Sequence, residues 1–592
     1  MNIKSRIMLP FACALLLGAA GAEAATFTVN TTNDTSDADL GDGICADING
    51  KCSLRAAIMQ ANYTNVIGTS NTIIVPAGVY KLTRPGNDDS AVIGDLDITQ
   101  PMTIKGAGSS LTSVDGNGAV TGDRVFQILS SAKETTLSGM TIRNGSKVAG
   151  TFDSGGGLYW DGGGGHLHLS DLIVEGNSSH YGGGIYLNYP TDGDVVVLDH
   201  VIVRNNIAAT GAGGGLVVDF SDFSVGFDMV HCQVYGNMAF QGGGFYVQGS
   251  PPPPFVGLQF FHIETTDIYS NTAGHGAGFD SGLVGTNPVV FLNCNLHHNA
   301  AAFLGGGIEN YNTLAISNST LYANTAGAQG GGIYTEGGTV TIVSSTISGN
   351  SVTNGSGGGV YNTVDTVHGT GGTLNLLNST IASNSAVGGF GGGITNRSGA
   401  VIARDTIIAG NTAQDASSGP DFAGVLTTSS SNYDLFGNNG GLRFSGPFPF
   451  ACLFNVNPLL GPLQDNGGPT LTHALRPGSP ALDAGNGGPT TDQRGAPRPV
   501  DDPAIPNANP GDGRDIGAFE FARPRLAIQK AGNAALLSWP FYYGGFTVQS
   551  VTNPSASNSW TAEAGALVVS SNRYFFTNGP LSSKKFYRLK AN

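Results

Sequence analysis

The sequence predicts an all-β protein, a right-handed parallel β-helix. Three observations carry this. An Asn recurs at Asn177, Asn206, Asn237, Asn271, Asn299, Asn324, Asn350, Asn384 and Asn411, at intervals of 25 to 34 residues; such a period belongs to solenoids, propellers and arrays. Eight of these nine copies run into a glycine-rich triplet, ending at Gly184, Gly215, Gly244, Gly278, Gly307, Gly332, Gly359 and Gly393, and an earlier copy ends at Gly157. Apolar residues hold fixed offsets from both landmarks. Three before the Asn stand Val174, Val203, Val234, Ile268, Leu296, Leu321, Ile347 and Ile381; just after the glycines stand Leu158, Ile185, Leu216, Phe245, Phe279, Ile308, Ile333, Val360 and Ile394.

A second column, five before the Asn, runs Leu172, Val201, Cys232, Thr266, Cys294, Ser319, Ser345 and Ser379. The two-residue offset puts both columns on one face of a strand. No helix of ten residues fits between strands, which excludes βαβ units. A propeller blade needs about 40 residues and four strands, more than most copies hold. The glycines permit positive φ at a tight corner, and the Asn column is expected to bond backbone or stack in a ladder. Tyr159, Tyr186, Tyr246, Tyr334 and Tyr361 follow the inward apolar residue, so their rings are expected to face outward. About 15 coils at nearly 4.8 Å each predict a rod of roughly 70 Å.

Residues 1–24 read as a secretory signal. Lys4 and Arg6 form the basic start, Leu9 to Ala20 the apolar run and Ala22-Glu23-Ala24 the cleavage site. The chain is therefore expected to be secreted or held at a bacterial cell surface. In that compartment Cys45 and Cys52 are expected to pair. Cys232 and Cys294 share a column but stand two coils, about 9–10 Å, apart, beyond the reach of about 7 Å. They read as buried thiols, with Cys452 left open.

Residues 25–70 read as an N-terminal cap. Asp34, Asp37, Asp39 and Asp42 give it an acidic loop, with oxygen ligands of the kind that hold a structural Ca²⁺; the solvated loop is the plainer reading, and no other cofactor is expected. Ser53 then caps a short helix whose Leu54, Ala57, Ile58 and Ala61 share one face. Laid over the first coil, it would cover an otherwise open edge. Cys52-Ser53-Leu54-Arg55-Ala56-Ala57-Ile58 and Ala61-Asn62 resemble the CSLREA domain of secreted bacterial repeat proteins, with Ala56 in place of its Glu.

Residues 71–456 are the expected β-helix. Ile73 to Tyr80 reads as strand, Pro-Ala-Gly turn, strand, and resembles the first coils of the pectin-lyase-like superfamily. The regular coils, about Met140 to Ala413, resemble the repeats of polymorphic outer membrane proteins, which are adhesins. No membrane barrel is read here, so that attachment is not carried over.

Residues 457–523 contain Asn457-Pro458-Leu459-Leu460-Gly461-Pro462, Asp465-Asn466-Gly467-Gly468-Pro469-Thr470, Gly478-Ser479-Pro480-Ala481-Leu482-Asp483, Asp492-Gln493-Arg494-Gly495 and Asp515-Ile516-Gly517-Ala518-Phe519-Glu520. They resemble the choice-of-anchor Q domain that ends bacterial β-helices, which implies a C-terminal cap. Asp492, Arg494 and Asp515 are expected to pair and hold its loops. Residues 524–592 hold short β runs between turns and predict a small antiparallel sandwich, broadly like fibronectin type III, with Trp539 in its core.

The net charge is −15 and no Lys occurs between Lys147 and Lys530, which excludes nucleic acid and anionic membrane surfaces as partners. Beyond the signal, no segment is apolar enough to span a bilayer. Gly274-His275-Gly276 copies a short polygalacturonase motif, yet it occupies the glycine-turn slot. With Asp267, Asp280 and Arg204 it forms the candidate catalytic set, and Arg397, Arg404, His166, His168, His297 and His298 are further polar candidates. No metal-ligand spacing or nucleophile motif supports an enzyme. The reading is a non-enzymatic exported scaffold, adhesin-like, with a glycan or cell-surface ligand on the Tyr column; the alternative is a lyase or glycoside hydrolase acting on an acidic polysaccharide.

Overall fold

A computed structural model describes residues 24–64, 70–148, 150, 153–189, 193–221, 226–250, 260–282, 288–365, 371–540, 546–555, 560–570, 573–579 and 584–591. The expected signal segment lies outside them. One coil shows the plan. Thr313–Ser317 adds a strand to a first sheet, Thr320–Tyr322 to a second, Thr325–Ala326 to a short third, and Ile333–Glu336 to a fourth. Left-handed turn residues separate them: Asn318 (φ 50°), Ala323 (φ 53°) and Gly330 (φ 66°). The first of these turn positions is filled coil after coil by Asp171, His200, His231, Thr265, Asn293, Asn318, Ser344, Asn378 and Asp405, all with positive φ. Asn, Asp and His tolerate that conformation better than most side chains.

The described sheets contain 13, 14, 9 and 13 parallel strands. The predicted fold class holds. Among the described residues the rod has 13 or 14 rungs, against about 15 expected, which is about 60 Å at one strand spacing per rung.

The repeat columns do what their spacing demands. Both aliphatic columns are buried, and so is the Leu, Cys, Thr and Ser column between them. The Asn column forms a buried ladder. Asn324 shows the unit: its Oδ1 accepts from the backbone N–H and side-chain amide of Asn299 at 3.1 and 2.9 Å, and its own amide donates to Leu296 O and to Asn350 Oδ1, each at 2.9 Å. The ladder ends on Asp421, whose Oδ1 accepts both donors of Asn411.

The three triplet positions are glycine for different reasons. The first takes positive φ. A Cβ at the second would meet the next coil's backbone: at Gly331 it would stand 2.4 Å from Gly358 O and 2.5 Å from Ser351 O. At the third, Gly332, it would stand 2.6 Å from Gly359 O.

At the N-terminus, helix α1 (Leu54–Thr64) starts where Ser53 Oγ accepts the Ala56 N–H at 3.0 Å. It is buried on both sides, because the acidic loop folds over it. Asp34 takes the buried Arg55 guanidinium at 2.5 Å, and Gln60 donates to Leu40 O. Cys45 and Cys52 are disulfide-bonded; Cys232, Cys294 and Cys452 are free, the first two buried.

The segment after residue 457 lies along the flank of the second sheet, not across the open end. Gln493 accepts from Thr346 Oγ1 at 2.6 Å and donates to Thr320 Oγ1 at 2.9 Å; His473 bonds Ser348; Ala518 N–H donates to Thr380 Oγ1. Ile407, Ala409 and Leu435 pack with Leu475, Leu482, Ile516 and Phe519. Asp492 pairs with Arg494 at 2.6 Å as expected, whereas Asp515 accepts from the backbone of Asp483 and Phe521 and leaves Glu520 to pair with Arg498. Phe436, Phe444, Phe448 and Phe454 cluster at the last rungs.

The final segment forms two small antiparallel sheets of four and three strands with Trp539 buried between them. Its second and sixth strands (Ala534–Pro540 and Arg573–Asn578) are paired in one sheet. An immunoglobulin-type sandwich places them in opposite sheets.

Candidate functional site

The outer face of the fourth sheet gathers the polar groups. Parallel register aligns one residue per coil: Asp97, Gln127, Tyr159, Tyr186, Val217, Tyr246, Asp280, Glu309, Tyr334, Tyr361 and Thr395. A second column, two residues on, includes Asp161, Asn188, Asp219, Gln248 and Glu336. The strands of this sheet from Leu158 to Thr363 hold no Lys or Arg.

The expected Tyr column points away from the coil interior, yet it is not an open platform. Tyr186, Tyr334 and Tyr361 are buried, roofed by the arm that precedes each glycine turn. Tyr159 stacks on Tyr186 at 5.6 Å and Tyr334 on Tyr361 at 5.7 Å, so their faces cover one another. Tyr186 donates to Asp219, and Tyr334 to Glu336 at 2.8 Å. Burial raises all three of the Tyr186, Tyr246 and Tyr334 hydroxyl pKa values.

At the centre, His275, Tyr311 and Asp280 converge on Glu309. His275, on the arm, bonds Glu309 Oε2 through Nδ1 at 3.1 Å, and Tyr311 donates to Glu309 Oε1 at 2.6 Å. Asp280 stands beside Glu309 in the ladder, 1 % exposed, with neither carboxylate oxygen hydrogen-bonded. Burial, then the neighbouring Glu309, pushes its pKa well above the usual range, so it is held as the neutral acid. The Glu309 hydrogen bond raises the His275 pKa. Beside this cluster Phe240 and Phe303 flank His275 at 5.7 and 5.3 Å, each 50 % exposed and inclined to it. Among the described residues no ring stacks face to face on either of them, unlike the tyrosines.

The sequence-predicted candidates divide. His275 and Asp280 join at this cluster. Asp267 and Arg204 lie on the second sheet, on another face: Arg204 pairs with Glu175 at 2.6 Å and Tyr235 at 2.8 Å, and Asp267 accepts from Asn295 at 2.9 Å. That face carries a continuous ring stack, Tyr235, Tyr269, His297 and Tyr322, spaced 4.6–4.9 Å. Glu309 was absent from the sequence-level set. Its signal was present, since it follows Ile308 as Asp280 follows Phe279 and Tyr334 follows Ile333.

Two other features bound the site. At the N-terminal end of the same face, a cleft of about 520 Å³ is lined by Arg124, Gln127, Lys147, Tyr159 and Asn188 among others. There Lys147 pairs with Asp123, and burial lifts Asp95 to about 7 and Asp97 to about 9. In the N-terminal loop, Asp34 is held by Arg55 and Thr83 N–H, while Asp37, Asp39 and Asp42 accept backbone N–H groups two residues on.

No protein-family model matches the chain, and no curated protein sequence matches it. Solved structures similar at low score include the following two. The crystal structure of pectate lyase Pel9A shares 13% identity over 84% of this chain and 97% of its own, with a TM-score of 0.32. The catalytic domain of a GH87 α-1,3-glucanase in complex with nigerose shares 10% over 71% of this chain and 70% of its own, with a TM-score of 0.31. At those values neither bears on the site or its chemistry.

Proposed function

We propose that this chain is an exported β-helix scaffold that holds a glycan along the outer face of its fourth sheet, in an adhesin-like role. In this reading residues 1–24 direct export, the CSLREA-like segment caps the first coil and the choice-of-anchor Q-like segment braces the flank of the second sheet. The observation that carries it is the Phe240, His275 and Phe303 wall beside the Asp280–Glu309 cluster. Half-exposed aromatic faces suit the apolar faces of sugar rings, and the buried Glu309 fixes His275 between them. The strands of this face from Leu158 to Thr363 hold acids and no Lys or Arg, so an uncharged glycan is favoured there over a polyanion.

A glycoside hydrolase is the second reading. It is favoured by one observation, a neutral acid beside an ion-paired carboxylate. Adjacent parallel strands lie about 4.8 Å apart, close to the separation of about 5–5.5 Å used by retaining enzymes. The burial of both carboxyls weighs against it.

A glycan-array screen of residues 25–592, with reducing ends assayed on every glycan bound, tests both. Binding of neutral glycans, at least tenfold weaker in Phe303→Ala and without cleavage, is the expected result. Binding confined to acidic glycans, or unchanged in that variant, would overturn the assignment. Cleavage lost in Asp280→Asn would establish the hydrolase instead.

A further inference from the structure

The structure points to a metal site on a different face from the glycan groove. We propose that Asp199, His200 and His231 bind one imidazole-preferring divalent transition ion, such as Zn²⁺. The three residues come from two successive coils. His200 and His231 fill the same left-handed turn position, each with φ 55°, so their rings rise side by side from the rod. Asp199 ends the first-sheet strand immediately before that turn.

The ligand atoms converge. His200 Nδ1 lies 2.7 Å and His231 Nδ1 3.5 Å from the same oxygen, Asp199 Oδ1. All three ligand atoms fall within 4.8 Å of one another, the only such grouping of His, Cys, Asp and Glu among the described residues. Bonds of about 2.0–2.1 Å in tetrahedral geometry space neighbouring ligand atoms by about 3.3 Å. The two nitrogen–oxygen distances bracket that spacing, so small ring rotations would seat an ion without moving backbone. The backbone is fixed by His200 N–H to Val230 O at 3.1 Å and His231 N–H to Glu264 O at 3.2 Å. The rings are stacked at 4.8 Å and about half exposed, which leaves the remaining coordination positions to water. Two imidazoles and one carboxylate favour Zn²⁺, Cu²⁺ or Ni²⁺ over Ca²⁺ or Mg²⁺.

The competing explanation is a stack of turn histidines that shares one carboxylate and binds nothing. A second histidine pair, His297 and His298 with their Nδ1 atoms 2.8 Å apart, offers a rival location. The test is calorimetric titration of Zn²⁺ into tag-free residues 25–592. One site of low-micromolar Kd is expected. His200→Asn and His231→Asn keep a residue suited to the left-handed turn and are each expected to weaken binding at least tenfold. His262→Asn, which removes a surface His beside Asp228, is expected to leave it unchanged. A saturating ion bridging two coils is also expected to raise the melting temperature of the wild type and not of the double variant. No binding up to millimolar Zn²⁺ would overturn the proposal, as would unchanged binding in His200→Asn/His231→Asn or its loss only in His297→Asn/His298→Asn.

Discussion

Asp280 shows how much one residue depends on its place in the ladder. Its carboxyl is buried and neutral in the folded chain, whereas in the unfolded chain it ionises above its ordinary pKa of 3.8. The folded state therefore holds a proton that the unfolded state sheds, and stability falls as pH rises from about 3.8 toward the raised folded value. Asp280→Asn imitates the neutral acid and removes that loss. The expected melting temperature of the variant matches the wild type near pH 3.5 and exceeds it increasingly toward pH 7; a difference that stays flat or turns negative across that range would refute the assignment. The Asn column was legible because its side chains act on each other: each Asn needs the next in register, so the period survives in the sequence. Glu309 was not, because a Tyr, an Asp and a Glu at one position do not look alike until the coils are aligned. The rings of Tyr186, Tyr334 and Tyr361 were placed on the correct side of the strand, but periodicity says nothing of the arm that roofs them.

The glycine turn is the element that sets how closely coils stack. Gly331, in the triplet, and Gly349, at the left-handed turn before Asn350 where the previous coil has Ala323, separate two demands made on glycine. A Cβ at Gly331 would overlap two carbonyl oxygens of the next coil, which no side-chain rotation can relieve. At Gly349 the φ is 64° but the nearest atom to a new Cβ is 3.9 Å away, so only the left-handed conformation is costly. Gly349→Ala is expected to lower stability by about 1 kcal/mol, whereas Gly331→Ala is expected to lose roughly 3 kcal/mol or more through overpacking. Urea denaturation of the two variants measures the gap, and equal midpoints would show that the close approach at Gly331 does not fix the spacing of the coils. The cap helix was equally legible, from a Ser N-cap and an apolar i, i+3, i+4, i+7 face. Its outer cover was not: Arg55 reads as the exposed side of an amphipathic helix, yet it is buried on Asp34 across 21 residues of chain.

At the scale of the whole molecule, the C-terminal quarter of the chain alters what the rod exposes. In the second sheet the outward column reads Thr141, Ile173, Ile202, Gln233, Asp267 and Asn295 along the earlier coils, then Thr320, Thr346, Thr380 and Ile407 where residues 470–520 cover it. The run of three threonines in successive coils was in the sequence. It carried no meaning without knowing where the later segment lies. A segment across the open end and one along the flank predict different losses when it is removed. A chain of residues 25–456 uncovers three buried threonines, Ile407 and Leu435 together. Loss of partners for buried hydroxyls costs about 1–3 kcal/mol each where water does not replace them, and the uncovered apolar strip is a surface for dye binding and association. The shortened chain is expected to melt at lower temperature and to bind a hydrophobic dye. Its amide exchange is expected to quicken along residues 320–322, 346–348, 380–382 and 407–409, several rungs deep. Faster exchange confined to the last rungs near residues 435–454 would place the segment at the end instead. An unchanged melt and exchange pattern would make it an appendage that the rod does not need.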